Sequence, residues 1–571
     1  MALDAVLLQK RLDIRFIRGG EPKNKDLAEE KELEEALQRA QNVDPGLFLS
    51  CKRLVIPPEN SICSFVVFLE SNSRLNFSII FRILGTILSL LALMMGLCFL
   101  GTWIMSIHSG EGEGMKSIGY SILITGAFGG LLFYLGRKSS PEQILRKEAI
   151  ATVALGWIVA SFFGCLPYVL GEAHFSLPRA FFESMSAFTT TGATVFTDLN
   201  DTPSGILLWR SLSQWLGGLG ILALVVALLS ILGVGGKHLF GVETSMNLSG
   251  SPMARAQDLT VRLWIVYCGL TIVCWLGLWI IGSRAPIPAT GFEAFLYALT
   301  TVSTGGFAPH NASAGHFNSA AVEIFLCIFM FISSLNMILV TYTFFGNFQS
   351  KAGRTEAIGF AVMILAAWFT ITLDLWLNHE SEGWAALRES LFPVVSLASS
   401  TGFAAGDYDQ WPLFARTVLF FLMVVGGCSG STAGGVKVAR LVILLKVISQ
   451  EIAKTFRPKL VSSVKIDGKA ISTEGQLAVL TYLALTAGII LFSTSLISMF
   501  EPGIDDLNSA FGAVLATFFN MGPGFGSLGP TDNFAHLHQV TLVYLSLLML
   551  LGRLEIFVVL TLFSKHLWAK Y

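Results

Sequence analysis

Four short stretches carry the residues through which this sequence could do chemistry: "TTTGAT" (189–194), "VSTGGF" (302–307), "SSTGFA" (399–404) and "NMGPGF" (520–525). None contains an acid, a histidine or a cysteine; what they offer is oxygen, from hydroxyls and backbone carbonyls. A ring of carbonyls replaces the hydration shell of a monovalent cation. Glycine has a physical role there, because aiming successive carbonyls at one centre needs backbone angles that a Cβ resists. Each stretch ends a short apolar piece of helical pattern: "LPRAFFESMSAF" (177–188), "GFEAFLYALTTV" (291–302), "GWAALRESLFPVVSLA" (383–398) and "DLNSAFGAVLATFF" (506–519). Pro178 falls in the first turn of its piece, where a missing N–H costs little. Pieces of about 12 residues cannot cross a hydrocarbon core of roughly 30 Å. They must enter and turn back, and irregular backbone at that depth survives only when buried in protein or lining water. Four such helices around one axis would point four C-termini, each worth about half a negative charge, at a common centre. One such stretch alone would read as an ordinary turn glycine; four in register do not.

The elements that must position these stretches are membrane spans. The chain has 571 residues, 53% of them hydrophobic and 13% charged, which excludes a soluble globule of this size. A net charge of −1 argues against a nucleic-acid partner, and no cleavable signal peptide opens the sequence. The eight cysteines never form C-x-x-C and read as packing residues. Residues 1–75 carry no span and are read as a cytosolic extension of unknown role; "KNKDLAEEKELEEALQRA" (23–40) reads as a solvated helix and 54–71 as short strands. Two spanning helices are expected within 76–136. Four units of span, re-entrant piece and span follow, at 148–234, 260–346, 357–450 and 474–568. The expected fold is therefore an all-α polytopic membrane protein in which four span–pore-loop–span pseudo-repeats surround one ion pathway behind two extra transmembrane helices. Basic residues such as Arg137, Lys138, Lys237, Lys351, Arg354 and Lys454 lie between repeats, and acids such as Asp198, Asp407, Asp409, Asp505 and Asp532 lie within them. The positive-inside tendency puts the four glycine stretches on the outer side and both termini in the cytoplasm.

These residues resemble the TrkH/TrkG branch of the Trk/Ktr/HKT potassium transporters. "FFESMSAFTTTGATVFTDL", "STGGFAPHN", "SSTGFAAGDYDQWP" and "NMGPGFGSLGP" are similar to that family's four filter motifs, and "WRSLSQWLGGLGILAL" (209–224), "GGCSGSTAGGVKVAR" (426–440) and "LGRLE" (551–555) to further signatures. The resemblance covers about residues 76–568. It implies potassium uptake across the cytoplasmic (inner) membrane, with the potassium ion as the bound species and no organic cofactor. It also implies a homodimer with a pore in each protomer, gated by cytosolic nucleotide-binding RCK (TrkA-type) subunits. The family's filter glycines fall on Gly192, Gly305, Gly402 and Gly522. The preceding residues, Thr190 and Thr191, Ser303 and Thr304, Ser400 and Thr401, and Asn520 and Met521, take the ion-coordinating places. Ala187 departs from the family's usual glycine. In that family a serine at the first filter position goes with sodium passage, so the resemblance, with glycine at all four positions, implies potassium.

The last span of the third repeat is too long and is broken. Trp411 to Gln450 would make a helix of about 60 Å, twice a bilayer's need, and the part from Leu413 to Val425 descends only about 20 Å. The small residues that follow, Gly426, Gly427, Cys428, Ser429, Gly430, Ser431, Thr432, Ala433, Gly434 and Gly435, then sit where ions leaving the filter pass, and are read as a gate. Phosphate-loop spacing fails there, because Val436 precedes Lys437 and no Ser or Thr follows. Arg553, flanked by apolar residues, must face the interior; it is expected either to pair structurally or to donate to carbonyls of 426–435 and bias the gate shut. Glu183 and Glu323 are read either as cation-concentrating acids of the outer mouth or as partners of pore-helix backbone, and Arg210 as an outer-interface anchor. The rival functions are a symporter coupling potassium to protons or sodium, a less selective sodium and potassium pathway, and, more distantly, a membrane enzyme. The enzyme has no H-E-x-x-H or nucleophile–base spacing to support it.

Overall fold

The computed structural model describes residues 76–109, 114–137, 146–171, 174–231, 252–346, 353–378, 383–458, 463–554 and 556–564. The expectations for residues 1–75 lie outside the described residues. Apart from one two-residue hairpin, the regular structure described is helical. Helices α1 (Phe77–Ser109) and α2 (Met115–Gly136) pack against each other ahead of the repeats. Their outward residues, among them Leu90, Leu93, Leu123 and Phe128, are exposed, as suits helices whose free faces meet lipid instead of water.

Each repeat then begins with a span: α3 (Arg146–Gly164), α6 (Pro252–Gly282), α10 (Arg354–Leu377) and α14 (Thr473–Phe500). A short helix follows each: α4 (Leu177–Phe188), α7 (Gly291–Val302), α11 (Trp384–Ala398) and α15 (Leu507–Phe518). The C-terminal halves of these short helices are buried, where the spans show apolar faces outward. Local chemistry starts them. Thr290 and Glu293 form a reciprocal capping box on α7, and the Ser509 N–H donates to the Asp506 carboxylate at the head of α15.

The second helices depart from expectation. In the first repeat α5 (Ser204–Ile231) is continuous. In the third, α12 (Leu413–Val424) and α13 (Val438–Phe456) flank residues 425–437. The sequence reading placed the interruption in this repeat alone, but the second and fourth repeats are broken as well. Helices α8 (Ala320–Ser334) and α9 (Met337–Phe344) meet at 102°, and α16 (Gln539–Arg553) and α17 (Ile556–Phe563) at 119°. Asn336 is the local cause of the first bend: its Oδ1 accepts from the N–H groups of Ile338 at 2.9 Å and Leu339 at 3.4 Å, starting a new helix. Among the described residues, six helices are long and apolar enough to cross a membrane, or eight if each bent pair counts as one span.

Between repeats three and four, β1 (Lys465–Ile466) and β2 (Lys469–Ala470) form a hairpin. Its Asp467 carboxylate accepts from the N–H groups of Gly353 at 2.8 Å and Thr355 at 2.9 Å, and from the Thr355 hydroxyl at 2.6 Å. The acid thereby caps the N-terminus of α10 from a distant part of the chain.

Candidate functional site

Backbone geometry fixes the register of the four glycine stretches. Each short helix ends in one residue of helical backbone, and the next has positive φ: Thr190 at 52°, Thr304 at 53°, Ser400 at 55° and Asn520 at 55°. Two residues on comes a positive-φ glycine: Gly192 at 89°, Gly306 at 80°, Gly402 at 79° and Gly522 at 87°. Between them, the N–H of Thr191, Gly305, Thr401 and Met521 reaches back to the carbonyls of Ser186, Thr300, Ser396 and Ala516, each at 2.8 or 2.9 Å. This corrects the second repeat. The resemblance placed Ser303, Thr304 and Gly305 beside Thr190, Thr191 and Gly192; the backbone aligns Thr304, Gly305 and Gly306 instead. Ser303 is the helix cap there, equivalent to Thr189. The tandem glycines hid the shift, since either could serve until the dihedral angles were known.

The four stretches close on one another. A Cβ added to Gly192 would stand 2.3 Å from the Gly305 carbonyl oxygen, and one on Gly306 1.9 Å from that of Thr401. On Gly402 it would stand 2.0 Å from the Met521 oxygen, and on Gly522 2.9 Å from that of Thr191. Repeat one thus faces two, two faces three, three faces four and four faces one. The glycines are needed twice over, for their φ and for the neighbour's carbonyl that occupies the place of a side chain. Hydroxyls tie the strands to their helix ends: Thr189 bonds Thr191, and Ser399 bonds Thr401, both at 2.8 Å.

Polar side chains brace this ring. The Gln214 amide of α5 donates through Nε2 to the Gly305 carbonyl at 2.7 Å and accepts the Phe307 N–H at 3.1 Å. Asn520 donates to the Thr191 hydroxyl at 2.9 Å and to the Met549 carbonyl at 3.0 Å, joining the fourth stretch to the first and to α16. Glu183 and Arg210 form a buried pair at 2.8 Å. Glu183 also accepts the Val195 N–H and the Thr194 hydroxyl, and Arg210 donates to the Ala308 carbonyl and lies over the rings of Phe196 and Phe307. Arg210 is therefore an internal brace and not an interface anchor, and the backbone N–H that Glu183 accepts is that of Val195, beyond the short helix and not within it. Glu323 is paired with Arg388 through two hydrogen bonds of 2.9 and 2.7 Å. The sequence signal for these pairs is weak, because 27 residues separate Arg210 from Glu183.

The 426–435 segment lies against the inner ends of the short helices. The Gly434 N–H donates to the Ser400 hydroxyl at 2.5 Å and the Gly435 N–H to the Phe519 carbonyl at 3.0 Å. Thr432 donates to the carbonyls of Val302 at 3.3 Å and Ser333 at 3.2 Å. Repeats two, three and four are all touched. The segment also fills the bend of the second repeat, with the Cys428 N–H on the Ser334 carbonyl and the Met337 N–H on the Gly430 carbonyl. Its neck is a parallel bridge between Val425 and Val436, and Lys437 donates to the Ala433 carbonyl. Six of the ten backbone N–H groups of 426–435, those of Gly426, Cys428, Ser429, Ser431, Gly434 and Gly435, thereby find acceptors within the protein, the kind of partner that irregular backbone away from water needs. On the far side, the Ser429 N–H and hydroxyl donate to the Glu356 carboxylate at 3.1 and 2.7 Å. Arg553 ends α16 and is 5% exposed, but its Nε and Nη2 have no hydrogen-bond partner. The expected donation to carbonyls of 426–435 is not made by either atom. The six described cysteines are free thiols, and no group of three or more metal-ligating side chains occurs among the described residues.

Four re-entrant helices whose ends close into one ring of backbone define a class: a polytopic membrane transport protein with a central, repeat-built pathway. A family model described as "TrkH: Cation transport protein" matches residues 115–377 and 381–570, and the chain belongs to this family. It is a transport protein and not an enzyme. The Trk system potassium uptake protein TrkH of Escherichia coli K12 is 34% identical over 499 residues, which is 86% of this chain and 99% of that one. TrkG of the same organism is 31% identical over 446 residues, covering 77% and 89%. The crystal structure of the potassium transporter TrkH from Vibrio parahaemolyticus matches with a TM-score of 0.75 at 30% identity, over 86% of this chain and 99% of that one.

Proposed function

We propose that this chain takes up potassium across the cytoplasmic membrane through a selectivity filter formed by its four glycine stretches, with a gate at 426–435. One observation carries the reading: the glycine of every repeat faces a carbonyl of the next, and the sequence of contacts closes on itself. Backbone oxygens supplied by four chain segments around one axis are the ligand set that a dehydrated alkali ion requires. The potassium uptake proteins among its relatives support the choice of ion. In this reading the ion meets the Thr191, Gly305, Thr401 and Met521 carbonyls.

The gate follows from the position of 426–435 against the inner helix ends. Opening requires Gly434, Gly435 and Thr432 to leave Ser400, Phe519 and Val302. The buried and partly unpartnered guanidinium of Arg553 holds positive charge below the filter until the segment moves. Membership of the family supports a homodimer working with cytosolic nucleotide-binding subunits, and the basic residues between repeats support cytoplasmic termini. The test is bi-ionic flux in reconstituted vesicles. Gly192→Ser should raise sodium permeability relative to potassium, and an unaltered ratio in folded protein rejects the filter. Arg553→Ala should raise potassium flux, and unchanged flux rejects its part in the gate.

A further inference from the structure

We propose that Gln214 sets the cation preference of the pathway by holding the Gly305 carbonyl, through the hydrogen bond from its Nε2. The proposal rests on the reading of the four stretches as a filter.

The four positions ahead of the filter glycines are not chemically alike. Three carry side chains, Thr191, Thr401 and Met521, whereas the second repeat has Gly305. A Cβ on Gly305 would stand 2.4 Å from Gln214 Oε1 and 2.5 Å from its Cδ. Gln214 therefore occupies the space that a side chain at 305 would need, and does so from another repeat. It is fully buried. Both ends of its amide are committed, since the Phe307 N–H requires an acceptor and so turns Oε1 toward itself, which leaves Nε2 for the Gly305 oxygen. Among the described residues no hydrogen bond reaches the carbonyls of Thr191, Thr401 or Met521. One oxygen of the four carries a donor, and the other three do not.

That asymmetry bears on selectivity. A carbonyl has two lone-pair sites, and a donor on one takes that site from the ion and fixes where the oxygen lies. A smaller cation demands oxygens that close in and carry more charge; a larger one is served by oxygens held in place. Without the Gln214 donor, the Gly305 oxygen offers both lone-pair sites to the ion and is free to move, and both effects favour sodium. Gln214 is a positioning residue: it acts on the ion through the carbonyl it holds.

Gln214→Met keeps the length of the side chain and removes the amide, and Gln214→Leu is a second variant of different shape. The expected result in reconstituted vesicles is retained potassium flux with a potassium-to-sodium ratio lowered by about fivefold, the factor that one ordinary hydrogen bond is worth. A merely structural role would lower both fluxes together and leave the ratio alone. Unfolding temperature of the purified protein in potassium against sodium chloride gives a readout that needs no conduction: wild type should gain more from potassium, and the variants should lose that difference. A wild-type flux ratio and potassium advantage that persist in both variants overturn the role of Gln214 and leave the filter standing. A wild type that does not distinguish the two ions at all overturns the filter, and this inference with it.

Discussion

Replacing each ring glycine by alanine in turn applies one identical perturbation, a single methyl group, to four unequal clearances. At Gly306 and Gly402 the new Cβ would lie 1.9 and 2.0 Å from the next repeat's carbonyl oxygen, about 1 Å inside the 3.0 Å that real Cβ atoms keep. At Gly192 it would lie 2.3 Å away, and at Gly522 2.9 Å, close to that limit. The backbone penalty for a Cβ at positive φ is common to all four and costs about 1–2 kcal/mol. Overlap in a closed ring adds about 1–3 kcal/mol where backbone must shift. The Gly522→Ala variant should therefore carry the φ penalty nearly alone, and Gly306→Ala and Gly402→Ala both terms, about 2–5 kcal/mol. Potassium flux into vesicles, normalised to folded protein by size exclusion, should fall in the order of the clearances, with Gly522→Ala retaining most. Gly305→Ala, whose Cβ meets the Gln214 side chain instead of a neighbouring carbonyl, should change selectivity more than rate. Equal losses at all four positions, or Gly522→Ala as the worst, would refute the reasoning.

Three further outcomes follow from the surroundings of the ring. Glu356→Gln weakens two hydrogen bonds to Ser429, a loss of about 1–3 kcal/mol, and should raise hydrogen exchange across 426–435 while leaving α7 protected. Arg210→Met strands the buried Glu183 carboxylate and should cost about 3–5 kcal/mol in thermal unfolding, most of it recovered by adding Glu183→Gln. His316 stacks on His310 at the outer face with ring centroids 3.6 Å apart, and burial, then the nearby His310, holds its pKa below the ordinary value. With the folded value depressed, the fold favours neutral His316, so its contribution to stability is present above the unfolded value of about 6.5 and is lost as pH falls below that and through the lower folded value. Exchange in 308–318 should rise as pH falls below about 6.5, and His316→Asn should flatten that profile.

The repeat pattern was legible because a Gly-centred polar stretch after a short apolar helix is rare, and four of them each follow a span and precede another. What escaped was whatever depends on backbone angle or on partners far apart in the chain. "STGG" offers two glycines, and only φ tells that Gly306 and not Gly305 is the equivalent of Gly192. The bend at 334–337 was hidden because a single Asn336 in an apolar run reads as tolerated polarity, although an asparagine is also a helix cap. Arg210 beside Trp209 looked like an interface pair; Glu183, its true partner, belongs to another helix. Gln214 carried no signal beyond being an amide inside "SLSQWLGG", and its importance lies in the missing side chain of Gly305, which comes from another repeat.

The central claim is that backbone oxygens from four repeats stand in for water around one alkali ion. The most direct measurement is uptake of rubidium against sodium by the purified wild-type chain in vesicles, under the same gradient and without a regulatory partner. The account predicts rubidium entry well ahead of sodium, with potassium competing for it. Entry of the two ions at equal rates, or rubidium entry that potassium does not compete with, would contradict it.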